Sequence, residues 1–203
     1  CCVGFELLFN LITKQDVTVG DLSAAVTGVL LGLNLPANVP LWQCVVGSLF
    51  AIVIVKCLFG GIGCNLVNPA ITARVFMLVA FGSMTTQAFP TMVDAVSGAT
   101  PLGGSAATHS IRDLFLGLRG GAIGETCALA LLIGFVYLLV RRVITWHVPV
   151  AFVGTVYILS FFLEGMDFGY ALAMILSGGL LLGAIFMATD YVTSPSTAAG
   201  KII

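Results

Sequence analysis

Residues 22–55, 143–163 and 168–189 contain no lysine, arginine, aspartate or glutamate. Each run reaches or exceeds the roughly 20 residues that an α-helix needs to cross the hydrocarbon of a bilayer. Over the whole chain 59% of residues are hydrophobic and 8% are charged, against roughly 25% charged in an ordinary soluble domain. The short alternating segments of a transmembrane barrel are absent. These features predict an all-α fold, a polytopic transmembrane helical bundle forming a single domain over residues 1–203. A net charge of -1 without a basic cluster offers nothing to neutralise a phosphate backbone, so no nucleic acid partner is expected. Membrane lipid is the solvent.

The chain opens CCVGFELLFN, without an initiator methionine or a signal-peptide pattern, and its first apolar run stops by Thr13. An N-terminal part of the parent protein is therefore expected to be missing. Helices are predicted over about 1–13, 22–35, 41–59, 69–81, 121–140, 146–163 and 168–187. Pro36 ends the second and Pro69 opens the fourth, proline being favoured in a first helical turn. The segments 22–35 and 69–81 read as half-length or broken spans. Within the polar stretch 83–120, HSIRDLFLGL suits an amphipathic helix lying along the interface.

Basic residues favour cytoplasmic loops. Arg141 and Arg142 fix their loop inside, and counting spans from it puts Lys14, Lys56, Arg74 and Lys201 on the same side, leaving Arg112 and Arg119 opposite. The loop over 83–120 then faces away from the cytoplasm. A weak echo pairs Gly28 and Gly32 with Gly179 and Gly183. It fits either an internal repeat of discontinuous helices or the small residues common wherever membrane helices pack closely.

That loop contains VDAVSGATPL, residues 93–102. Pro101 pushes Thr100 into extended backbone, and Gly98 and Ala99 leave the neighbouring chain uncovered, so the Thr100 hydroxyl is presented. A threonine hydroxyl without an adjacent base is a poor nucleophile, which favours an acceptor of a group delivered by another enzyme. On local physics alone the stretch reads first as a turn in which Asp94 or Ser97 caps a backbone amide.

The pattern Asp94-x-x-Ser97-Gly98-Ala99-Thr100 resembles the flavinylation motif of membrane redox complexes, in which a flavin transferase joins FMN to the threonine through a phosphoester. TVGDLSAAVTGVLLGLNLP, LFGGIGCNLVNPAITARVF, GAIGETCALALLIGFVYLLVRRVITWHVPVAF and MATDYVTSP resemble, in that order and over nearly the whole chain, the D subunits of Rnf complexes. The B subunits of the sodium-pumping NADH:quinone reductase are a sister family with a similar NPA turn and the same threonine motif. The resemblance implies an electron-carrying subunit of a Na+- or H+-translocating ferredoxin:NAD+ oxidoreductase in a bacterial or archaeal cytoplasmic (inner) membrane. Its covalent FMN would sit on Thr100, with a noncovalent riboflavin as a further possibility. The other membrane and peripheral Rnf subunits and a flavin transferase would be its partners. The family's additional helices before this point agree with a missing N-terminal region. Residues alone leave open a solute transporter or channel without redox chemistry, or a scaffold whose polar loop docks a partner.

Other candidates follow from position. The turn GGIGCNLVNPA lacks the spacing of a dinucleotide loop. Irregular backbone at membrane depth must be buried in protein or line a cavity, so Asn65 and Asn68 either contact a flavin edge or ion, or satisfy the broken helix's own backbone. Arg74, one turn further on, suits a lipid headgroup, Asp21 or a flavin phosphate. Glu125 in GAIGETCALA is either an ion relay or an acid favoured at a helix start. Asp190 closes a helix end or helps bind a second flavin. His109 and His147 read as interfacial residues, Trp42 and Trp146 as belt residues, and the phenylalanines mostly as lipid-facing or packing material. The cysteines form no CxxC or Cys/His pair at metal-ligand spacing; Cys57 and Cys64 bracket the glycine-rich turn and read first as small buried hydrophobes, and only second as iron-sulfur or metal ligands. No residue is assigned as catalytic and none as a metal ligand.

Overall fold

In the computed structural model, residues 1–36, 39–82, 89–90, 97–98, 111–117, 122, 124–163, 166–195 and 197–202 are described. They are helical apart from turns and one two-residue antiparallel ladder, and they divide into two compact units, Cys1–Thr86 and Gln87–Ile203.

The first unit begins with α1 (Cys2–Thr13), which closes on Lys14 in left-handed backbone at φ 54. A 3₁₀ turn, Val19–Asp21, leads into α2 (Ser23–Leu33). Helix α3 (Leu41–Leu49) runs on without interruption as a π-helix, Phe50–Cys57. Its widened hydrogen bonding continues past Cys57, where the Leu58 amide donates to the Val53 carbonyl at 3.0 Å and the Gly61 amide to the Lys56 carbonyl at 3.0 Å. Helix α4 (Pro69–Ala80) follows the glycine-rich turn.

Helix α1 packs on α2 and the π-helical segment, and α4 packs on α2, α3 and that same segment. Small residues sit at these approaches: Ala24, Ala51, Ala70 and Ala73 are buried together with Leu31, Ile52, Val55 and Met77. Close backbone approach through small side chains is the usual way helices associate when no hydrophobic drive separates them from lipid.

In the second unit a ladder pairs β1 (Phe89–Pro90) with β2 (Ser97–Gly98). Then come α5 (Ile111–Leu116), α6 (Ala128–Val140), α7 (His147–Leu163), α8 (Phe168–Leu176) and α9 (Leu180–Leu182), the last continuing as a π-helix over Gly183–Met187. Helix α5 packs on α6 and α8, α7 on α8, and the final helix on α6, α7 and α8. Helix α6 ends in a Schellman motif, the Val143 amide donating to the Leu138 carbonyl at 3.0 Å, with Arg142 at φ 54 where glycine is commoner.

Most predicted helices agree with the structure to within a few residues, and α2 and α4 are as short as expected. The helix expected over 121–140 starts only at Ala128. Upstream, the Ala122 amide donates to the Glu125 carboxylate, Gly124 and Glu125 lie in a turn and Cys127 is extended. The helix expected over 168–187 is broken. Ser177 is extended, Gly178 has φ 71, and the two halves are bent by 66°.

Among the described residues no single helix is long and apolar enough to cross a membrane, whereas the bent pair Phe168–Leu176 and Leu180–Met187 together has the length and composition to do so. Large apolar side chains point outward in both units, Leu41, Val79, Val140 and Leu163 among the most exposed.

Candidate functional site

Of the residues singled out in the sequence, Asp94, Ala99, Thr100 and His109 lie outside the described residues. The backbone of the motif's centre is described: Ser97 pairs with Pro90 and Gly98 with Phe89, forming one arm of a short antiparallel ladder.

The turn before α4 is built on Gly60, Gly61 and Gly63, at φ 110, 85 and 85, which side chains rarely adopt. It delivers Asn68 to the N-cap of α4. There its side-chain oxygen accepts from the Ala70 amide at 3.0 Å and the Ile71 amide at 3.3 Å, while its carbonyl accepts from the Thr72 hydroxyl. Asn68 thus satisfies the helix's own backbone. Asn65 differs: its side-chain oxygen is buried and has no hydrogen-bond partner. Arg74 is half-buried on α4.

Glu125 lies in the turn before α6, its Oε1 accepting from the Ala122 amide at 2.9 Å. Asp190 accepts from the Val192 amide at 3.3 Å and holds the turn after the final helix. His147 stacks on Trp146 with ring centroids 4.2 Å apart, and its Nδ1 is buried without a partner.

Sequence reasoning did not single out the polar cluster at the centre of the first unit. The Lys56 ammonium donates to Glu6 Oε1 at 2.5 Å and also to the Ser23 hydroxyl, and both charged residues are almost wholly enclosed, Glu6 at 2% and Lys56 at 3% exposure. The Thr18 hydroxyl donates to the same Glu6 oxygen at 3.2 Å and accepts from Asn10 Nδ2 at 3.0 Å. Toward the surface, Asp21 accepts from the Ser23 hydroxyl at 2.7 Å and from its amide at 2.8 Å. Slight burial pushes the Asp21 carboxyl up, but the Ser23 hydroxyl, the Ser23 amide and the nearby Lys56 charge outweigh it and hold the pKa below the ordinary aspartate value.

Helices α1 and α2, the joint and 3₁₀ turn between them, and the π-helix thus bring three charges and two hydroxyls together. The signal is present in the sequence: Glu6 interrupts CVGFELLF and Lys56 interrupts AIVIVKCLF, and a charge inside an apolar run marks a functional site by default. As a loop marker of orientation, Lys56 gave no hint of a buried partner.

Two clefts complete the geometry. One, of about 350 Å³, is lined by Cys2, Gly28, Leu31, Gly32, Cys44 and Ser48 and is mostly apolar. The other, of about 360 Å³ in the second unit, is lined by Arg142, Thr145, Thr189, Tyr191, Ser194 and Lys201 among others. There the Lys201 ammonium donates to the Thr145 hydroxyl at 3.4 Å.

A sequence model of the NQR2, RnfD, RnfE family matches residues 1–203. The chain belongs to the NQR2, RnfD, RnfE family. Among curated members it is 48% identical to the D subunit of the Na(+)-translocating ferredoxin:NAD(+) oxidoreductase complex of Acetobacterium woodii, over 99% of this chain and 64% of that protein. It is 37% identical to the D subunit of the proton-translocating ferredoxin:NAD(+) oxidoreductase complex of Clostridium ljungdahlii, over 98% and 66%. Against the B subunit of the Na(+)-translocating NADH-quinone reductase of Azotobacter vinelandii the identity is 38%, over 98% and 53%. The chain therefore spans less than two thirds of the length of these NQR2, RnfD, RnfE relatives.

Proposed function

We propose that the chain is part of a membrane subunit of an ion-translocating ferredoxin:NAD+ oxidoreductase of the Rnf type, carrying FMN as a phosphoester on Thr100. The 48% identity to the D subunit of such a complex, over almost the entire chain, carries the proposal. Of the three relatives described above, the one that stands apart, at 48%, is a ferredoxin:NAD(+) oxidoreductase D subunit, which favours the Rnf side of the family. A polytopic arrangement in the cytoplasmic membrane is supported by the 8% charged content and by the outward-facing apolar side chains. The partners are the other membrane and peripheral subunits of the complex, and a flavin transferase for maturation.

FMN supplies one-electron redox chemistry when bound; the protein's part is to hold and orient it. Asp94, Ser97, Gly98 and Ala99 form the segment a transferase reads, and the ladder between Ser97–Gly98 and Phe89–Pro90 fits a motif whose backbone is tethered just before the acceptor. The unpartnered Asn65 oxygen is an acceptor suited to the N–H edge of a second, noncovalent flavin such as riboflavin, bound by the first unit.

The test is in-gel flavin fluorescence of the denatured full-length protein, produced with and without a flavin transferase, together with its intact mass. The expected result is a fluorescent band and a mass increment of one FMN, both lost in Thr100→Ala. A colourless, unmodified chain from the native host, or a Thr100→Ala chain that still fluoresces, overturns the attachment.

A further inference from the structure

The cleft of about 360 Å³ in the second unit lies between two stretches of chain. The turn from α6 to α7 supplies Arg142, Val143 and Thr145, and the segment after the final helix supplies Tyr191, Ser194 and Lys201. Its lining includes both of these basic residues and no carboxylate. Neither Arg142 nor Lys201 enters an ion pair among the described residues, so their charge is uncompensated. The hydroxyls of Thr189, Tyr191 and Ser194 already donate to the carbonyls of Ile185, Val143 and Ala188. The Thr145 hydroxyl instead accepts from the Lys201 ammonium at 3.4 Å. Its own proton, the other ammonium hydrogens and the Arg142 guanidinium have no acceptor among the described residues. Cationic donors gathered without an acceptor match an oxyanion, and the arginine fork suits phosphate oxygens in particular.

The rim narrows that oxyanion to an amphiphile. Val143 and Tyr191 are exposed, as are Trp146 and Ile202, which follow the lining residues Thr145 and Lys201 in sequence. A free phosphate gains nothing from such a rim, whereas a phospholipid lays its chains against it, and tryptophan and tyrosine settle at headgroup level. Arg141 and Arg142 put this turn on the cytoplasmic side, where anionic headgroups gather.

We infer that this cleft binds the phosphate of an anionic phospholipid of the cytoplasmic leaflet, held by Arg142 and Lys201 with Thr145 as a third donor. The inference rests on the cytoplasmic-membrane placement proposed above. The lipid bridges two stretches that the Tyr191–Val143 and Lys201–Thr145 hydrogen bonds already draw together.

The experiment titrates the delipidated complex containing the full-length subunit, in neutral detergent, with dioctanoylphosphatidylglycerol or dioctanoylphosphatidylcholine, and reads binding by calorimetry. The glycerol lipid should bind about fivefold or more tightly than the choline lipid. Lys201→Gln, which keeps a donor for Thr145, should weaken the glycerol lipid about fivefold, the contribution of one basic residue beside an anionic surface. Adding Arg142→Asn, a residue that tolerates left-handed backbone, should weaken it about as much again. Choline-lipid binding should stay unchanged in both variants.

Equal affinity for the two lipids overturns the inference. So does unaltered affinity in Lys201→Gln, a single change at a half-buried turn that decides the matter even where the double variant fails to assemble. Displacement of the lipid by millimolar inorganic phosphate would make this a free-phosphate site, and loss of a cytoplasmic subunit from the variants with lipid affinity intact would make it a protein-docking surface; either overturns it. Recovery of the subunit outside the membrane fraction would instead defeat the placement, a result read before any lipid is added.

Discussion

Phe50 and Phe76 lie face to face, ring centroids 4.0 Å apart and planes within 1° of parallel, joining the start of the π-helix to α4. One turn earlier along the same seam, Gly47 lies against the buried Met77 side chain so closely that a Cβ at Gly47 would overlap its sulfur. Overpacking such a contact costs about 1–3 kcal/mol. Gly47→Leu should therefore lower the melting temperature of the detergent-solubilised complex, and Met77→Ala in that background should recover part of the loss. Thermal melts followed by tryptophan fluorescence check this; no recovery would show that the strain lies elsewhere.

Asn68 caps α4 through two backbone amides. Asn68→Ala should cost about 1 kcal/mol, while Asn68→Asp or Asn68→Ser should hold most of the stability. Should alanine and aspartate prove equally damaging in the same melts, capping would not be the reason for asparagine there.

The Asp21 carboxyl has a pKa below its ordinary value. A group depressed on folding adds stability that is present above its unfolded pKa and is lost as pH falls through the folded one. Wild-type protein should lose thermal stability below about pH 3.9 faster than Asp21→Asn, whose acid limb should be flatter. Melts across that range are the measurement, and parallel curves would contradict the assignment.

Glu125→Gln keeps an acceptor oxygen for the Ala122 amide, so the turn before α6 should survive. With Glu125 as an ion relay, the variant reconstituted in liposomes should lose ion uptake more than ferredoxin-driven NAD+ reduction. Equal loss of both removes Glu125 from that role.

Helix positions were legible in the sequence because apolar runs and prolines bound them: Pro69 opens α4 as expected, and Lys14 and Arg142 stand just past helix ends. The breaks were less so. Nothing in SGGLLL distinguishes a tolerated glycine pair from the turn that bends the final pair, because the difference lies in what packs around it. Close approaches could not be assigned from glycine spacing either. Gly28 meets Cys2, but Gly32 meets nothing, and the tightest contacts fall on Gly47, Gly134 and Gly200. The Glu6–Lys56 pairing was readable as two misplaced charges but not as a pair, since 50 residues and a non-α segment separate them.

That segment limits how the protein can vary. A π turn bonds residues five apart where an α turn bonds residues four apart, so tightening Phe50–Val55 to α geometry at unchanged length would carry Lys56 further around its axis, away from Glu6, whereas losing one residue at the same time would bring it back. The wide turns are thus what holds the two charges opposite each other at this length of chain. Residue number and helix type in this stretch can change only together.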